Sequence, residues 1–451
     1  MKKIIFTLFM VAVLAAAQAQ SLDFSLSTSG LYTKLADVSG QLDQSAGLTF
    51  SSPLGKGWSF RSGLTLTVGG SYDGASGTTT PTLPWTLSGI DIPELNLSYS
   101  APREKEGLDR LAFAIGRFYY VDPTGSLFAY RLDGFNFQAV YPILSLRVVL
   151  GYTGLLPSTA PLISTTADST YGDPDFAPPR AVATFGLRSP RIRNHDAFFA
   201  FTVQEDLRNP NQLIQEYQTV QNLSSSGPAS SAYLSAGFTG NPTSMLSYSA
   251  FGIFEFGRSL SYVTSATSTT GYIYEYAAVR AWSFGAQAQL ALGPGMSGGL
   301  RALYGSGDPD AQTATSGNTS GNATEFVPIT VPVGLVLSPD PANLTQIEAD
   351  FYFQPFPSEL IGLRAVQASS KTLLYVKNGT GPVSLSGVLP TAGLGLLGVE
   401  EDLGGTVRLL SDVNLTTSFG FYVPFAGSYD SSYIQKSPFG YAVSAGLSIA
   451  L

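Results

Sequence analysis

Apolar and polar residues alternate with a period of two along almost the whole chain, and helical spacing is hard to find. Trp58, Phe60, Leu64, Leu66 and Val68 alternate with Arg61, Gly63, Thr65 and Thr67. Leu95, Leu97 and Tyr99 alternate with Glu94, Asn96, Ser98 and Ser100. In QIEADFYFQ the apolar set is Ile347, Ala349, Phe351 and Phe353, and Gln346, Glu348, Asp350 and Gln354 fall on the other face with Tyr352. EEDLGGTVRLL sets Glu400, Asp402, Thr406 and Arg408 against Leu403, Val407 and Leu409, and DVNLTTSFGFYV repeats the scheme with Val413, Leu415, Phe419, Phe421 and Val423. Each segment predicts a strand with one greasy and one wet face.

A soluble sheet with one solvated face shows the same alternation, so the connections have to discriminate. Short turns are predicted near 51–57, 101–109, 142–144, 189–195, 239–244, 293–296, 355–358 and 410–412. Between them lie longer polar stretches near 33–44, 71–90, 121–132, 154–179, 206–230, 259–270, 305–343, 367–395 and 425–437. Eight turns and nine loops leave eighteen strands. Short periplasmic turns that alternate with long outer loops mark bacterial transmembrane barrels, whose strands of about 10 residues suffice to cross when tilted. Lipid gives backbone groups no hydrogen-bond partner, so such a sheet has to close on itself. The expected fold is therefore all-β, a transmembrane antiparallel barrel of about 18 strands with short periplasmic turns and long extracellular loops. It forms a single domain over residues 20–451.

The two ends of the sequence supply context. Lys2 and Lys3, an apolar run from Ile4 to Leu14 and the small-residue stretch Ala17-Gln18-Ala19 read as a secretory signal peptide over residues 1–19. The final YAVSAGLSIAL is expected to be the last membrane strand. It resembles the signal read by the barrel-assembly machinery, with Ser444, Gly446, Ile449 and Leu451 in the signal positions and leucine where phenylalanine is usual.

Composition narrows the reading. Only 12% of residues are charged, while the chain holds 23 Tyr and 28 Phe, too few charges and too many aromatics for a soluble exported protein of this length. It has no cysteine, which excludes a disulfide framework, a thiolate metal site and a lipidated N-terminal cysteine. The formal charge of −8, or −10 without Lys2 and Lys3, argues against nucleic acid as a partner. Outer-membrane lipid and a small hydrophilic solute are the expected partners instead.

An arginine at mid-membrane on the lipid face costs ~2–4 kcal/mol, so strand charges should point into the lumen. The pore-lining candidates are Arg61, Glu94, Arg147, Glu255, Arg301, Glu348, Asp350, Arg364, Glu400, Asp402 and Arg408, a lining of both signs around an aqueous channel. The loops at 154–179 and 305–343 are the candidates for a constriction, since a pore selects by diameter, lining and field. Tyr119-Tyr120, Tyr272-Tyr274-Tyr276 and Phe419-Phe421 fit interfacial girdles. The tyrosines at 272–276 share a face with Arg280 and Trp282, which calls for a bulge or the opposite face.

Catalytic signals are weak. Gly295-Met-Ser297-Gly-Gly299 spells a nucleophile elbow, but it falls in a tight turn rather than a strand-to-helix turn. The lone histidine, His195, reads as a solvated turn residue. Asp308 with Asp310, and Asp173 with Asp175, read as solvated loop acids rather than a calcium site. No catalytic site, cofactor or metal is expected.

Several motifs resemble the alginate-export-type outer-membrane porins, a family of eighteen-stranded barrels. They are IGRFYYVD with Gly116 and Arg117, RLDGFNF with Asp133 and Gly134 opening a strand, RALYGSGDPD with Tyr304, Gly307 and Asp308, and LGVEEDLGGTVRLLSDVNLTTSFGFYVP. The resemblance implies passive export or uptake of a hydrophilic solute through a porin. The alginate pore is strongly arginine-lined, whereas arginines and acids balance here, which favours a neutral or mixed small solute. The competing readings are a surface adhesin or structural barrel with a blocked lumen and a fatty-acid channel, which needs an N-terminal plug. Alternation from Leu22, Phe24 and Leu26 leaves no room for that plug.

Overall fold

A computed structural model of the chain describes residues 21–34, 38–73, 86–105, 107–163, 175–190, 192, 194–208, 229–264, 266, 271–315, 320–331, 334–356, 365–410, 412–431 and 439–450. They form one antiparallel sheet. Its first segments are β1 (Ser21–Lys34), β2 (Val38–Gly55), β3 (Trp58–Asp73), β4 (Thr86–Asp91), β5 (Leu95–Lys105), β6 (Leu108–Val121), β7 (Ala129–Tyr141), β8 (Leu144–Tyr152) and β9 (Arg180–Arg188). There follow β10 (His195–Asp206), β11 (Ala229–Gly240), β12 (Leu246–Thr264), β13 (Tyr272–Gly293) and β14 (Met296–Gly305). The last are β15 (Leu344–Phe356), β16 (Ala365–Lys377), β17 (Gly395–Arg408), β18 (Val413–Pro424) and β19 (Gly440–Ala450).

Each segment pairs with its chain neighbours, and β1 pairs with β19 from Ser25↔Ala450 to Lys34↔Tyr441, which closes the ring. Both β4 and β5 pair with β3, so they are two halves of one crossing and the wall has 18 strands. Pro93 causes the interruption, because a residue without an N–H cannot continue a central ladder. The chain bulges there: Gly63 N donates to Glu94 O at 2.7 Å, and Pro93 sits over Gly63 where a Cβ would meet its ring at 2.9 Å.

The hairpin turns follow from local sequence. Gly55 pairs with Trp58 around Lys56 and Gly57, whose φ values of 50° and 85° are those of the two-residue turn that matches strand twist. Gly293 pairs with Met296 around Pro294 and Gly295, with the proline presetting one dihedral and the glycine, at φ 72°, taking the left-handed one. Ser297 is thus the second residue of a strand.

Register fixes the faces. Leu403 pairs with Phe419, Phe419 with Val443 and Val443 with Tyr32, a row of large apolar side chains each about 40% exposed on the outer surface. Directly paired residues share a face, so the polar residues between them point inward, as the alternation requires. Glu401 is an exception to the rule. Glu401 shares the outer face with Leu403, and its oxygens accept hydrogen bonds from the Ser370 and Thr372 hydroxyls at 2.5 Å.

Several expectations need correction. The loop expected at 33–44 is mostly strand, since β1 runs to Lys34 and β2 starts at Val38; Asp43 and Gln44 hid the pattern there. Likewise β16 occupies the first third of the loop expected at 367–395, because Ser369, Ser370 and Thr372 read as loop composition although they lie on a wall. The ladder between β12 and β13 runs unbroken from Leu246↔Leu290 to Thr264↔Tyr272, so no bulge turns Arg280 inward. Arg280 faces out thirteen residues above the turn, roughly 30 Å up a tilted wall and beyond an apolar band about 25 Å tall. In the Tyr119-Tyr120 pair only Tyr119 is outside, while Tyr120 is buried within the barrel. Phe419 and Phe421 do join a ring cluster with Phe439 and Tyr441. Asp133 lies inside β7 rather than at its start, and its carboxylate takes Arg117 Nε and Nη2 at 2.7 Å each.

Leu403→Arg on the outer face should cost ~2–4 kcal/mol, whereas Ser27→Arg on the inner face should refold like the parent. Urea unfolding in lipid vesicles, read on the heat-modifiable gel shift, checks both.

Candidate functional site

Two inner clusters and one crossing loop shape the lumen. The first cluster joins Phe118, Tyr120, Leu132, Val149, Tyr233, Ile253 and Val279 of the inner wall to loop residues Leu127, Leu156, Leu162, Phe326 and Ile329. The second joins Leu373, Tyr375, Leu397 and Tyr422 to Leu337, Leu385 and Tyr429. They occupy opposite walls, around β6–β13 and β16–β18.

The loop between β14 and β15 runs from one cluster to the other. Ala323 pairs with Val279 on β13, and Tyr233 packs edge-on against Phe326. Ile329 N donates to Leu127 O at 2.9 Å, and Val331 N to Pro161 O at 3.0 Å. By Val336 the chain has reached β17, where its N–H donates to Glu400 Oε1 at 2.8 Å. The loop is thus tied to the β6–β13 side through Ile329 and Val331 and to β17 through Val336. The two loops expected to constrict the pore therefore meet inside it. The described part of the 154–179 loop bonds to the 305–343 loop through Leu162↔Thr330.

This arrangement changes the role of two expected pore-lining acids. Glu255 and Glu400 point inward, but they are about 1% and 0% exposed. Glu255 accepts Val327 N–H at 2.9 Å and the Ser231 hydroxyl at 2.7 Å. Glu400 accepts Val336 N–H and the Tyr375 hydroxyl, the latter at 2.9 Å. A loop inside a barrel carries peptide N–H groups that no ladder pairs, and a carboxylate on the wall satisfies them. Both acids are anchors for the crossing loop.

The other candidates divide. Arg61 is exposed to the lumen and lies 3.9 Å from Glu94, which sits in the β4–β5 break. Arg147 lies over the Tyr120 ring at 4.7 Å and donates to Asn136 Oδ1. Arg301 donates to Ser126 Oγ at 3.0 Å, a contact between β14 and the loop after β6. Glu348 lies 3.8 Å from Lys371, which also stands in register between Asp350 and Asp402. Arg408 is exposed at the periplasmic end of β17. Arg364 and Leu451 lie outside the described residues, as do Asp173 and residues 1–20. Lys371 was missed because its strand was read as loop.

Other functional groups carry no periodic signal. Lys377 is fully buried and donates to the carbonyls of Leu389, Pro390 and Ala392 at 2.7–3.1 Å, stapling the outer loop that follows β16. Asp308 is no solvated loop acid: it is buried and accepts Asp310 N–H and Thr324 N–H. His195 is likewise engaged, its Nδ1 2.9 Å from the Tyr248 hydroxyl at the start of β10.

Where the loop meets the wall, Arg180, Gln204, Ser259, Glu255 and Glu325 line a cavity about one water molecule in size. Gln204 Oε1 and Glu325 Oε2 are buried there without a hydrogen-bond partner among the described residues. Burial first, and the charge of Asp308 second, push the Glu325 carboxyl well above the usual carboxylate range. Asp308 faces it from the same loop, Glu255 from β12 and Arg180 from β9.

The wall from β18 through β19 and β1 to β3 also presents small hydroxyls, with Arg408 of β17 in register beside Asn414 and with Arg61, Asp23 and Asp43 on the same face. One row across the strands reads Asn414, Ser448, Ser27, Ser45 and Thr67, with Ser45 Oγ 3.1 Å from Thr67 Oγ1. Glycines on this face receive neighbouring side chains. A Cβ at Gly47 would come within 2.5 Å of Ser25 Oγ, and one at Gly404 within 2.5 Å of Ser369 Oγ.

The fold matches solved structures from Pseudomonas aeruginosa. OccK11 (OpdR) aligns over 95% of both chains with a TM-score of 0.53 and 14% identity. The outer membrane protein opdK aligns over 95% of this chain and 98% of its own, with a TM-score of 0.52 and 11% identity. OpdQ aligns over 95% and 98%, with a TM-score of 0.50 and 12% identity. At these identities the likeness is one of fold. No protein-family model matches the sequence, and no curated protein matches it either. The alginate-export-type family suggested by the motifs is shown by none of these comparisons.

Two outcomes follow from the loop. Glu255→Ala together with Glu400→Ala removes the acceptors of Val327 and Val336, about 1–3 kcal/mol each. Single-channel records of the double variant should show larger and noisier conductance. For Glu325 the raised pKa means that the seated loop favours the protonated form. That stabilisation is complete in acid and is lost as pH rises through the raised value. Open-channel noise should therefore grow with alkalinity in the parent and stay flat in Glu325→Gln.

Proposed function

We propose that the chain is a passive channel of a bacterial outer membrane that admits small hydrophilic solutes. The observation that carries this reading is the closed ring with an apolar outer face, a hydroxyl-rich inner wall and a loop laid across the lumen. Closure satisfies the backbone in hydrocarbon. The polar inner face has a use only if water and solute occupy it, and the loop between β14 and β15 narrows the passage. Such a channel needs lipid around it and a small solute within it.

The signal peptide at residues 1–19 and the assembly signal at the C-terminus belong to the same reading. Ser444, Gly446 and Ile449 of that signal lie on the closing strand β19, which is where a machine that seals a barrel would engage the chain. The motif resemblance to alginate-export-type porins supports transport as well, without the arginine lining that a polyanion needs. The mixed-charge lining read from the sequence narrows to Arg61, Glu94, Arg147, Arg301, Glu348, Asp350, Asp402 and Arg408, together with Lys371.

Purified protein in a planar bilayer should give discrete ion-conducting steps, and liposomes carrying it should swell in small-solute solutions. Silence in both assays would point to the blocked-lumen adhesin instead.

A further inference from the structure

We infer that Arg258 and Arg280, on the outer face of β12 and β13, clasp the phosphate of an outer-leaflet lipid headgroup; this rests on the outer-membrane placement of the barrel and not on its passing solute.

Register places the two arginines at the upper edge of the apolar band. One row across four strands reads Phe201, Leu234, Phe254 and Trp282, all large and all exposed on the outer surface. The next row up reads Val203, Ala232, Phe256 and Arg280, and the one above it Ser230, Arg258 and Ala278. Aromatic side chains gather where hydrocarbon gives way to headgroups, and here charge begins one row higher. At that level an arginine meets lipid phosphate rather than acyl chain.

The pair is also spaced for a phosphate. Arg258 stands opposite Ala278, so Arg280 is its diagonal neighbour, about 7–8 Å away along the wall. Ala278 projects only a methyl group and leaves a gap between the two guanidinium groups. A tetrahedral phosphate in such a gap can accept paired N–H groups from either side. Arg258 lies 5.1 Å over the Tyr276 ring and donates to Glu205 Oε1 at 3.4 Å, yet its side chain is 57% exposed. Arg280 is exposed as well.

Charge balance points the same way. Two arginines against Glu205 leave the patch positive, because Asp206 is taken by Arg208 and Glu275 stands in register with Ser261 on the opposite face. Arg117 and Arg131, at the break between β4 and β5, are instead matched by Asp133 and Asp91 at 2.7 and 2.6 Å. In a chain of formal charge −8 a local positive excess at headgroup level is complementary to an anionic lipid.

The test titrates the full-length protein in detergent with lipid A, intact or stripped of its phosphates, and counts bound lipids and barrel copies by native mass spectrometry. The parent should retain the phosphorylated lipid in preference to the stripped one. Arg258→Gln with Arg280→Gln should weaken that retention roughly tenfold per arginine. Glu205→Gln removes the competing carboxylate and should strengthen it about twofold to fivefold, a gain that damage to the wall cannot produce. Equal retention of the two lipids overturns the inference, and so does a double variant that binds like the parent or a Glu205→Gln variant that binds no more tightly. Displacement of the lipid by inorganic phosphate at equal concentration overturns it in favour of a simple anion site. Paired barrels without lipid, lost in the double variant, overturn it in favour of a second copy of the chain. Conductance in a planar bilayer should match the parent in both outer-face variants. A silent parent that still prefers the phosphorylated lipid overturns the channel reading and upholds this inference.

Discussion

The structure depends on one constraint: in hydrocarbon a peptide group has no water to turn to, so each N–H and C=O on the wall must find a partner in the next strand. Closure of β1 on β19 meets it for the ring as a whole. The break between β4 and β5 shows what happens where the ladder fails. Arg117 Nη1 donates to Ile92 O at 3.0 Å, and Asn96 Nδ2 donates to Arg117 O at 3.2 Å, so side chains take over backbone bonding on both edges of the gap. Arg131 reaches Asp91 at 2.6 Å and ties β7 to the same place. The polar cluster there is a repair of the wall rather than part of the lumen.

The same accounting governs the interior. A loop that leaves the top of a barrel and enters its lumen carries peptide groups away from bulk water, and these have to be matched. Glu255 and Glu400 match them from opposite walls, and the two apolar clusters hold the side chains in between. Part of the interior charge in this protein is therefore structural, while Arg61 and Arg408 stay exposed on the inner wall.

The wall was legible in the sequence because alternation reports directly on the two faces of a strand. Trp58 to Val68, Ile347 to Phe353 and Leu403 to Val407 were assigned to the faces that register confirms. The losses came where the inner face is Ser, Thr and Gly. Ser369, Ser370 and Thr372 of β16 look like loop residues, since nothing in their chemistry separates a hydroxyl on a wet wall from one in a turn. The interior was less legible for a different reason. That Glu255 and Glu400 point inward follows from parity, but that a loop covers them depends on contacts across more than sixty residues of sequence, between Glu400 and Val336, and between Glu255 and Val327. The crossing segment does leave a trace: an apolar, proline-broken run in a stretch bounded by polar residues has to be buried somewhere, and the lumen is where it can be.

The crossing segment also fixes an order of construction. It lies between β14 and β15 in the chain, yet it is held by groups on β12 and β17 and by the tip that follows β6. Those three points come together only after the sheet has curled, so the inside can be furnished only once the outside stands. Until that moment the apolar run has no home within the molecule, and any helper that escorts the nascent wall into the bilayer must tolerate it dangling free.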